Sequence, residues 1–313
     1  MSSHPEKITL RSDTIIQSKS TRAIIAFFRF IPKGIRKKIL STLCLIFYYL
    51  VQKQRIITLH NLRCAFPEKD MRDIEKIAKN MYRNLGALVA EFTDIPFLSK
   101  EYLAECVDIE GLENLREALK LNKGILLFSA HFGNWELAAA IVALILRPLI
   151  IIYRKFDSPV LENIVTWVRA SAGVSSLSKK NAMRHILCSL RNNEIVLFLI
   201  DQNVVWREGV FVDYFGRPAC TTNGFARIAL HTGAPVLPLF MISLADGRYR
   251  LIIGDIVKTS ENNGRDMNVL FNTQKYTKII EDMVRQHPDQ WLWIHQRWKT
   301  KPCQVIKKTV VTS

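Results

Sequence analysis

KGILLF at 123–128, SAHFGNWE at 129–136 and WELAAAIVALIL at 135–146 form one continuous stretch whose reading decides the fold. KGILLF is a short apolar run bounded by polar residues, the pattern of a strand buried on both faces. The alanine- and leucine-rich run after it favours helix. His131 therefore falls in the turn between them, and ligands in open α/β sheets bind beyond the carboxyl ends of the strands. Within one regular helix His131 and Glu136 would point about 140° apart, because five residues at about 100° each separate them. A turn at Gly133-Asn134 brings them together. Glu136 then accepts the proton of one ring nitrogen and leaves the other free to take a proton from a hydroxyl nucleophile. The same spacing also arises from a histidine packed at a strand end with a glutamate at a helix N-terminus, where the macrodipole favours an acid.

Working outward, strands are expected at 124–129, 149–153, 195–200, 235–242 and 248–256. Helices are expected at 71–92, 112–121, 135–146, 158–171, 180–192, 223–232 and 267–286. This alternation implies an α/β fold with a mixed, largely parallel central sheet flanked by helices. Gly264 and the Asn262-Asn263 pair mark a surface loop. The domain boundaries expected are a polar tail at 1–21, a membrane-anchoring or interfacial helical segment at 22–55, a main domain at 56–301 and a short mobile tail at 302–313.

The chain has 313 residues, 49% of them hydrophobic, enough for a substantial core. Its 44 Lys and Arg exceed 28 Asp and Glu, giving +16 and favouring an anionic partner. Arg22, Arg29, Lys33, Arg36, Lys37, Lys38, Lys53 and Arg55 lie among apolar runs at 23–31 and 39–51. That interleaving suits a segment held at an anionic membrane surface. Neither run reaches the roughly 20 residues of a bilayer span. The choices are an interfacial helix pair, one tilted span at about 35–55, or two core helices of a soluble domain. The polar first 21 residues and the lack of a small-residue cleavage site give no cleavable signal.

Six scattered cysteines without a Cys-x-x-Cys pair suggest free thiols in a reducing compartment. The histidines show no metal spacing, so no metal and no cofactor are expected. Glycine-rich phosphate loops, internal repeats and nucleic-acid modules are absent from the sequence, so nucleic acid is not an expected partner.

SAHFGNWEL resembles the His-x4-acid motif of the bacterial late acyltransferases of lipid A, the lauroyl and myristoyl transferases. Further segments match in the same order: RIITLHNLRCAFPE at 55–68, Tyr153-Arg154, Trp167-Val168-Arg169, Asp201-Gln202-Asn203, GVFVDYFGRPA at 209–219 and HPDQWLWIHQRWK at 287–299. Together they span about residues 22–301. The resemblance implies a glycerolipid acyltransferase-like fold at the cytoplasmic face of the inner membrane. It also implies transfer of a fatty acyl chain from acyl carrier protein, or from acyl-CoA as co-substrate, to a hydroxyl of a phosphorylated glycolipid acceptor. The oligomeric state is not read from it.

On this resemblance His131 is the general base, Glu136 orients it, and Arg169 and Arg154 are the cations that meet the thioester oxyanion or substrate. Asp201 is a further catalytic candidate, holding an arginine or orienting the acceptor, unless it is a turn aspartate bonding its own backbone. Asn134, Gln202, Arg217, Arg297 and Lys299 are candidate substrate contacts, with a solvated surface equally open for Arg217 and Arg227. Phe211, Tyr214 and Phe215 wall an acyl groove or form a core stripe. Trp291 and Trp293 are expected to pack the sheet. Asp213 stands where many relatives have proline and Asn203 where aspartate is frequent. Glu136, rather than aspartate, fits the lipid A enzymes better than the mannoside acyltransferases. The alternatives are an acyl-CoA-dependent glycolipid or phosphatidylinositol mannoside acyltransferase, and a basic membrane scaffold in which His131 and Glu136 are structural.

Overall fold

Every residue of the Ile125–Ser129 strand is buried, as its run of four apolar residues favours, and the sheet is built around it. The computed structural model describes residues 19–302 apart from Asn181, Asn262 and Asn263. The expected tails, His4 and Cys303 therefore fall wholly or almost wholly outside the described residues, as does the Asn262-Asn263 loop. In chain order come α1 (Lys19–Phe30), α2 (Lys33–Leu50), α3 (Gln52–Ala65), α4 (Met71–Phe92), α5 (Lys100–Cys106), β1 (Val107–Glu110), α6 (Leu112–Lys120), β2 (Ile125–Ser129), α7 (Trp135–Ile145) and β3 (Leu149–Tyr153). There follow α8 (Pro159–Ser171), β4 (Val174–Ser178), α9 (Met183–Arg191), β5 (Ile195–Leu199), β6 (Gly209–Tyr214), β7 (Arg217–Thr222), α10 (Gly224–Thr232), β8 (Val236–Ser243), β9 (Tyr249–Ile253) and α11 (Arg265–Gln286).

The sheet has seven strands in the order β1-β9-β8-β2-β5-β3-β4. From β8 to β4 all neighbours are parallel, while β9 is antiparallel to β8 and β1 is parallel to β9. The sheet is thus mixed and largely parallel, as expected. The β8–β9 reversal follows from a short connection through Gly247, because only antiparallel neighbours can be joined by a tight turn. Alternate residues of β2 face opposite cores. Leu126 and Phe128 join a cluster with Tyr276, Trp291 and Trp293, whereas Ile125 and Leu127 join one with Leu137, Ile141 and Leu115.

The sequence reading missed β1, β4, the β6–β7 hairpin and α5. Strand β4 (VSSLS) is a polar edge strand with one buried residue, so it carries little hydrophobic signal. The hairpin turns on Phe215 and Gly216, both at positive φ (57° and 71°). Of the aromatic stripe, Tyr214 and Phe215 are buried in the core, which settles them as packing residues.

The N-terminal helices correct one expectation. A single tilted span at about 35–55 does not form: α2 ends at Leu50, Val51 leaves the helical region (φ −96°, ψ 81°), and α3 starts at Gln52. Among the described residues no helix is long and apolar enough to cross a membrane. Helix α2 packs on α4 so closely that a Cβ on Gly86 would lie 2.4 Å from the Leu40 carbonyl oxygen. Two of its basic residues face the domain. Arg36 is buried against Asp94 at 2.6 Å and Lys37 reaches Glu91 at 2.9 Å.

Candidate active site

Beyond Ser129 the chain leaves β2 and turns sharply into α7. Gly133 sits at φ 54°, and a Cβ there would come within 1.7 Å of the Met241 carbonyl oxygen, so the turn requires glycine. Asn134 caps α7 by accepting from the Leu137 amide at 3.0 Å and donates to Glu91 at 2.8 Å. It is buried and committed to the backbone, which removes it from the candidate substrate contacts. The C-terminal segment is stitched to the same turn: the Gly133 amide donates to the Gln290 carbonyl at 2.8 Å and the Leu292 amide to the His131 carbonyl at 2.9 Å.

The histidine does not meet Glu136. His131 Nδ1 lies 2.8 Å from Asp201 Oδ1, and the His131 backbone amide donates to Asp201 Oδ2 at 2.9 Å. Trp291 Nε1 donates to the same Oδ2 at 2.8 Å. Register explains the pairing. Ser129 and Leu199 are partners at the ends of the parallel strands β2 and β5, so the residues two positions beyond each, His131 and Asp201, emerge side by side. Asp201 is buried. Burial alone would raise its pKa, but the His131 ring and its hydrogen bonds, with His295 behind, hold the carboxyl well below the usual range.

Glu136 instead forms a buried bidentate pair with Arg169, Nε at 2.8 Å and Nη2 at 2.6 Å, and accepts from Trp135 Nε1 at 3.1 Å. Two corrections follow. Glu136 points from the first turn of α7 toward α8 rather than back toward His131. Arg169, expected to face the thioester oxygen, has its guanidinium engaged by Glu136 and stacks 5.2 Å from the Tyr153 ring. Burial lowers the Arg169 pKa, yet adjacent Glu136 more than offsets this and leaves it raised.

On its open side His131 meets Gln202, whose carboxamide nitrogen lies 3.3 Å from His131 Nε2 and 3.2 Å from His295 Nε2. A carboxylate can only accept, so the proton of the neutral His131 ring belongs on Nδ1, toward Asp201. Nε2 then carries a bare lone pair, and the amide –NH2 is the group that satisfies it. The two imidazole rings stand 5.0 Å apart. Burial, with His131 as a second cause, lowers the His295 pKa to about 4 and keeps that ring neutral. His295 was missed in the sequence, where it was weighed only as a metal ligand. The signal for it was its place in the Trp-rich segment 291–298.

Of the remaining candidates, Arg297 lies near enough to Asp201 to feel its charge, but its hydrogen bonds go elsewhere. Arg297 is buried, donating to the Cys220 carbonyl at 3.1 Å and the Thr221 hydroxyl at 2.5 Å, and stacks on Tyr214, so it braces the hairpin rather than a phosphate. Arg154 is exposed on the loop after β3, paired with Asp157 at 3.2 Å. Arg217 and Lys299 are exposed. No group of three potential metal ligands occurs among the described residues. A base with an open lone pair, oriented by a buried carboxylate at the carboxyl edge of a sheet, is equipped to deprotonate a hydroxyl.

Comparison with known proteins bears on what that base serves. Residues 18–300 match the family described as bacterial lipid A biosynthesis acyltransferase. The chain is 29% identical over 254 residues to the lipid A biosynthesis palmitoleoyltransferase of Escherichia coli K12, covering 80% of this chain and 81% of that one. Against the lauroyltransferase of the same organism it is 28% identical over 258 residues, 80% and 81% of the two chains. Against its myristoyltransferase it is 24% identical over 287 residues, 89% and 85%.

Proposed function

The chain belongs to the bacterial lipid A biosynthesis acyltransferase family and is an acyltransferase, and from that premise we propose that it moves a fatty acyl group from an acyl thioester to a hydroxyl of a lipid A precursor, with His131 as general base and Asp201 as its orienting acid. The observation that carries the reading is the Nδ1–Asp201 contact at 2.8 Å, which leaves Nε2 on the open side. The acceptor hydroxyl takes the place of Gln202 against Nε2 and gives up its proton as its oxygen attacks the thioester carbon. The C–S bond then breaks and the imidazolium returns the proton to the departing sulfur, giving an ester and a free thiol. No acyl-enzyme is needed. With Arg169 bound to Glu136, the donor we assign to the developing oxyanion is the displaced Gln202 carboxamide. Glu136 and Arg169 act at one remove, fixing α7 against α8.

The donor in this reading is acyl carrier protein, an acidic partner suited to a chain of +16. The acceptor is a phosphorylated glycolipid, and the place of work is the cytoplasmic face of the inner membrane. What supports the membrane location is the outer side of the N-terminal helices. Ile35, Ile39, Leu43, Ile46 and Leu50 recur at helical spacing along the exposed side of α2, and Phe27, Phe30 and Leu50 are 70%, 88% and 74% exposed. An apolar stripe of that size, with cations beside it, suits a helix pair lying in the interface. The test is reconstitution of the purified chain with a detergent-dispersed lipid A precursor and either acyl-carrier-protein or acyl-CoA thioesters, followed by mass spectrometry. Addition of one acyl group, lost in His131→Ala, supports the reading. No acylation with either donor contradicts it, and acylation from acyl-CoA alone replaces the donor.

A further inference from the structure

A cleft of about 300 Å³ opens between the end of α1, the start of α2 and the segment leading into α5, and it shares no residue with the His131 site. Its chemistry is one-sided. Arg29, Lys33 and Arg36 line it against a single carboxylate, Asp94, leaving a formal charge of three minus one, or +2. Arg36, 3% exposed, uses Nη2 on both Asp94 oxygens at 2.6 Å and Nη1 on the Phe28 carbonyl at 3.1 Å, while its Nε has no partner. With Asp94 so engaged, the other two cations rest on aromatic rings. The Arg29 guanidinium carbon lies 3.6 Å from the Phe97 ring centroid, and the Lys33 ammonium lies 4.8 Å from that of Tyr102 while donating to its hydroxyl at 2.5 Å.

This is how a phosphate site is prepared. A guanidinium stacked on a ring has lost its rotational freedom but keeps its rim of N–H donors, which matches two phosphate oxygens at once. An ammonium beside it supplies a compact point charge. A doubly charged phosphate would balance the +2. The surroundings select the carrier of the phosphate: Phe27 and Phe30 on α1 and Ile35 on α2, next to the cleft residues in sequence, are exposed apolar side chains. We propose that this cleft binds the phosphate head group of an anionic membrane phospholipid and so fixes how the chain sits on the bilayer. The inference rests on the interfacial placement given under Proposed function and supplies the site for it.

The experiment measures binding of the full chain to vesicles of phosphatidylcholine doped with either phosphatidic acid or oleic acid, adjusted to equal surface charge. Binding reads no turnover, so His131→Ala should bind normally, and failure of the acyl-transfer reading is seen separately. Phosphatidic acid vesicles should bind more tightly than oleic acid ones. Arg29→Ala/Lys33→Ala should weaken that binding about 25-fold, two cationic contacts at about fivefold each. Arg29→Gln/Lys33→Gln should behave the same and guards against misfolding of the first variant. Lys38→Ala/Lys53→Ala removes equal charge from the neighbouring exposed surface and should cost about twofold. Equal losses in the cleft and control variants, or equal binding to phosphate and carboxylate vesicles, would overturn the site. Binding of inorganic phosphate that depends on Arg29 and Lys33, with vesicle binding indifferent to them, would assign the cleft to a soluble phosphate and sink the head-group proposal.

Discussion

Replacing Asp201 by Asn separates orientation of the base from every other property of the site. The native carboxylate accepts three hydrogen bonds: Oδ1 from His131 Nδ1 at 2.8 Å, and Oδ2 from the His131 amide at 2.9 Å and Trp291 Nε1 at 2.8 Å. An asparagine oxygen can keep the two bonds at the Oδ2 position. Its –NH2 then takes the Oδ1 position and presents a donor where Nδ1–H had one. The ring avoids that clash by moving its proton to Nε2, which is the nitrogen that must be bare to act as base. The fold should therefore survive with a loss of about 1.5–3 kcal/mol, the usual worth of a charged hydrogen bond. Catalysis should fall about 10³–10⁴-fold, equivalent to about 4–5.5 kcal/mol in the barrier, as for other buried carboxylates that set a histidine tautomer. The assay is acyl transfer under saturating donor, alongside urea denaturation of the same protein. An Asp201→Asn variant that folds and retains activity within tenfold of the native chain refutes the orienting role.

Glu136→Gln should act mainly on stability, because it leaves Arg169 buried without its counter-charge; a loss of about 3–5 kcal/mol in denaturant unfolding is expected, and a variant of native stability contradicts the pairing. Gly133→Ala forces a Cβ to 1.7 Å from the Met241 carbonyl oxygen, so the His131 turn must shift; transfer should drop by about 10² or more, and unchanged rate would show the turn is not needed. His295 is held neutral down to about pH 4, so the unfolded chain takes up a proton near pH 6.5 that the folded chain refuses. Its contribution is absent above that pH, and below it stability should fall by about 2–3 kcal/mol between pH 6.5 and 4.5. His295→Asn, which keeps a partner for Gln202, should show a shallower decline, and identical slopes would count against the neutral ring.

The central strands were legible because β2, β3 and β5 are buried runs with almost no polar interruption. Strand β4 and the β6–β7 hairpin were not, since their formation depends on neighbours and on a positive-φ turn rather than on their own periodicity. His131 was nominated from its place at a strand end, and Asp201 from the same logic; the structure brings the two into contact. Their contact was missed because strand order is a tertiary property: nothing in the sequence shows that β2 and β5 are adjacent, and once they are, the two residues must meet. The error on Glu136 came from reading a five-residue spacing as proximity, when the first turn of α7 carries its side chain toward α8. Arg169 and Arg297 misled for a related reason. A buried arginine and a substrate-binding one look alike in sequence, and the carboxylate or carbonyl that engages it lies tens of residues away. Of the alternatives for the basic N-terminal segment, the single tilted span failed at Val51, where α2 gives way to α3.

The claim on which the rest depends is that Asp201 holds His131 with its proton on Nδ1 and a bare Nε2. Nitrogen NMR of the chain labelled at histidine, with His131 assigned by comparison with His131→Ala, reads the tautomer directly. Near neutral pH the native chain should show His131 Nδ1 protonated and Nε2 unprotonated, and Asp201→Asn should reverse the two. A native ring protonated on Nε2 alone, or a tautomer unchanged by Asp201→Asn, would contradict the account.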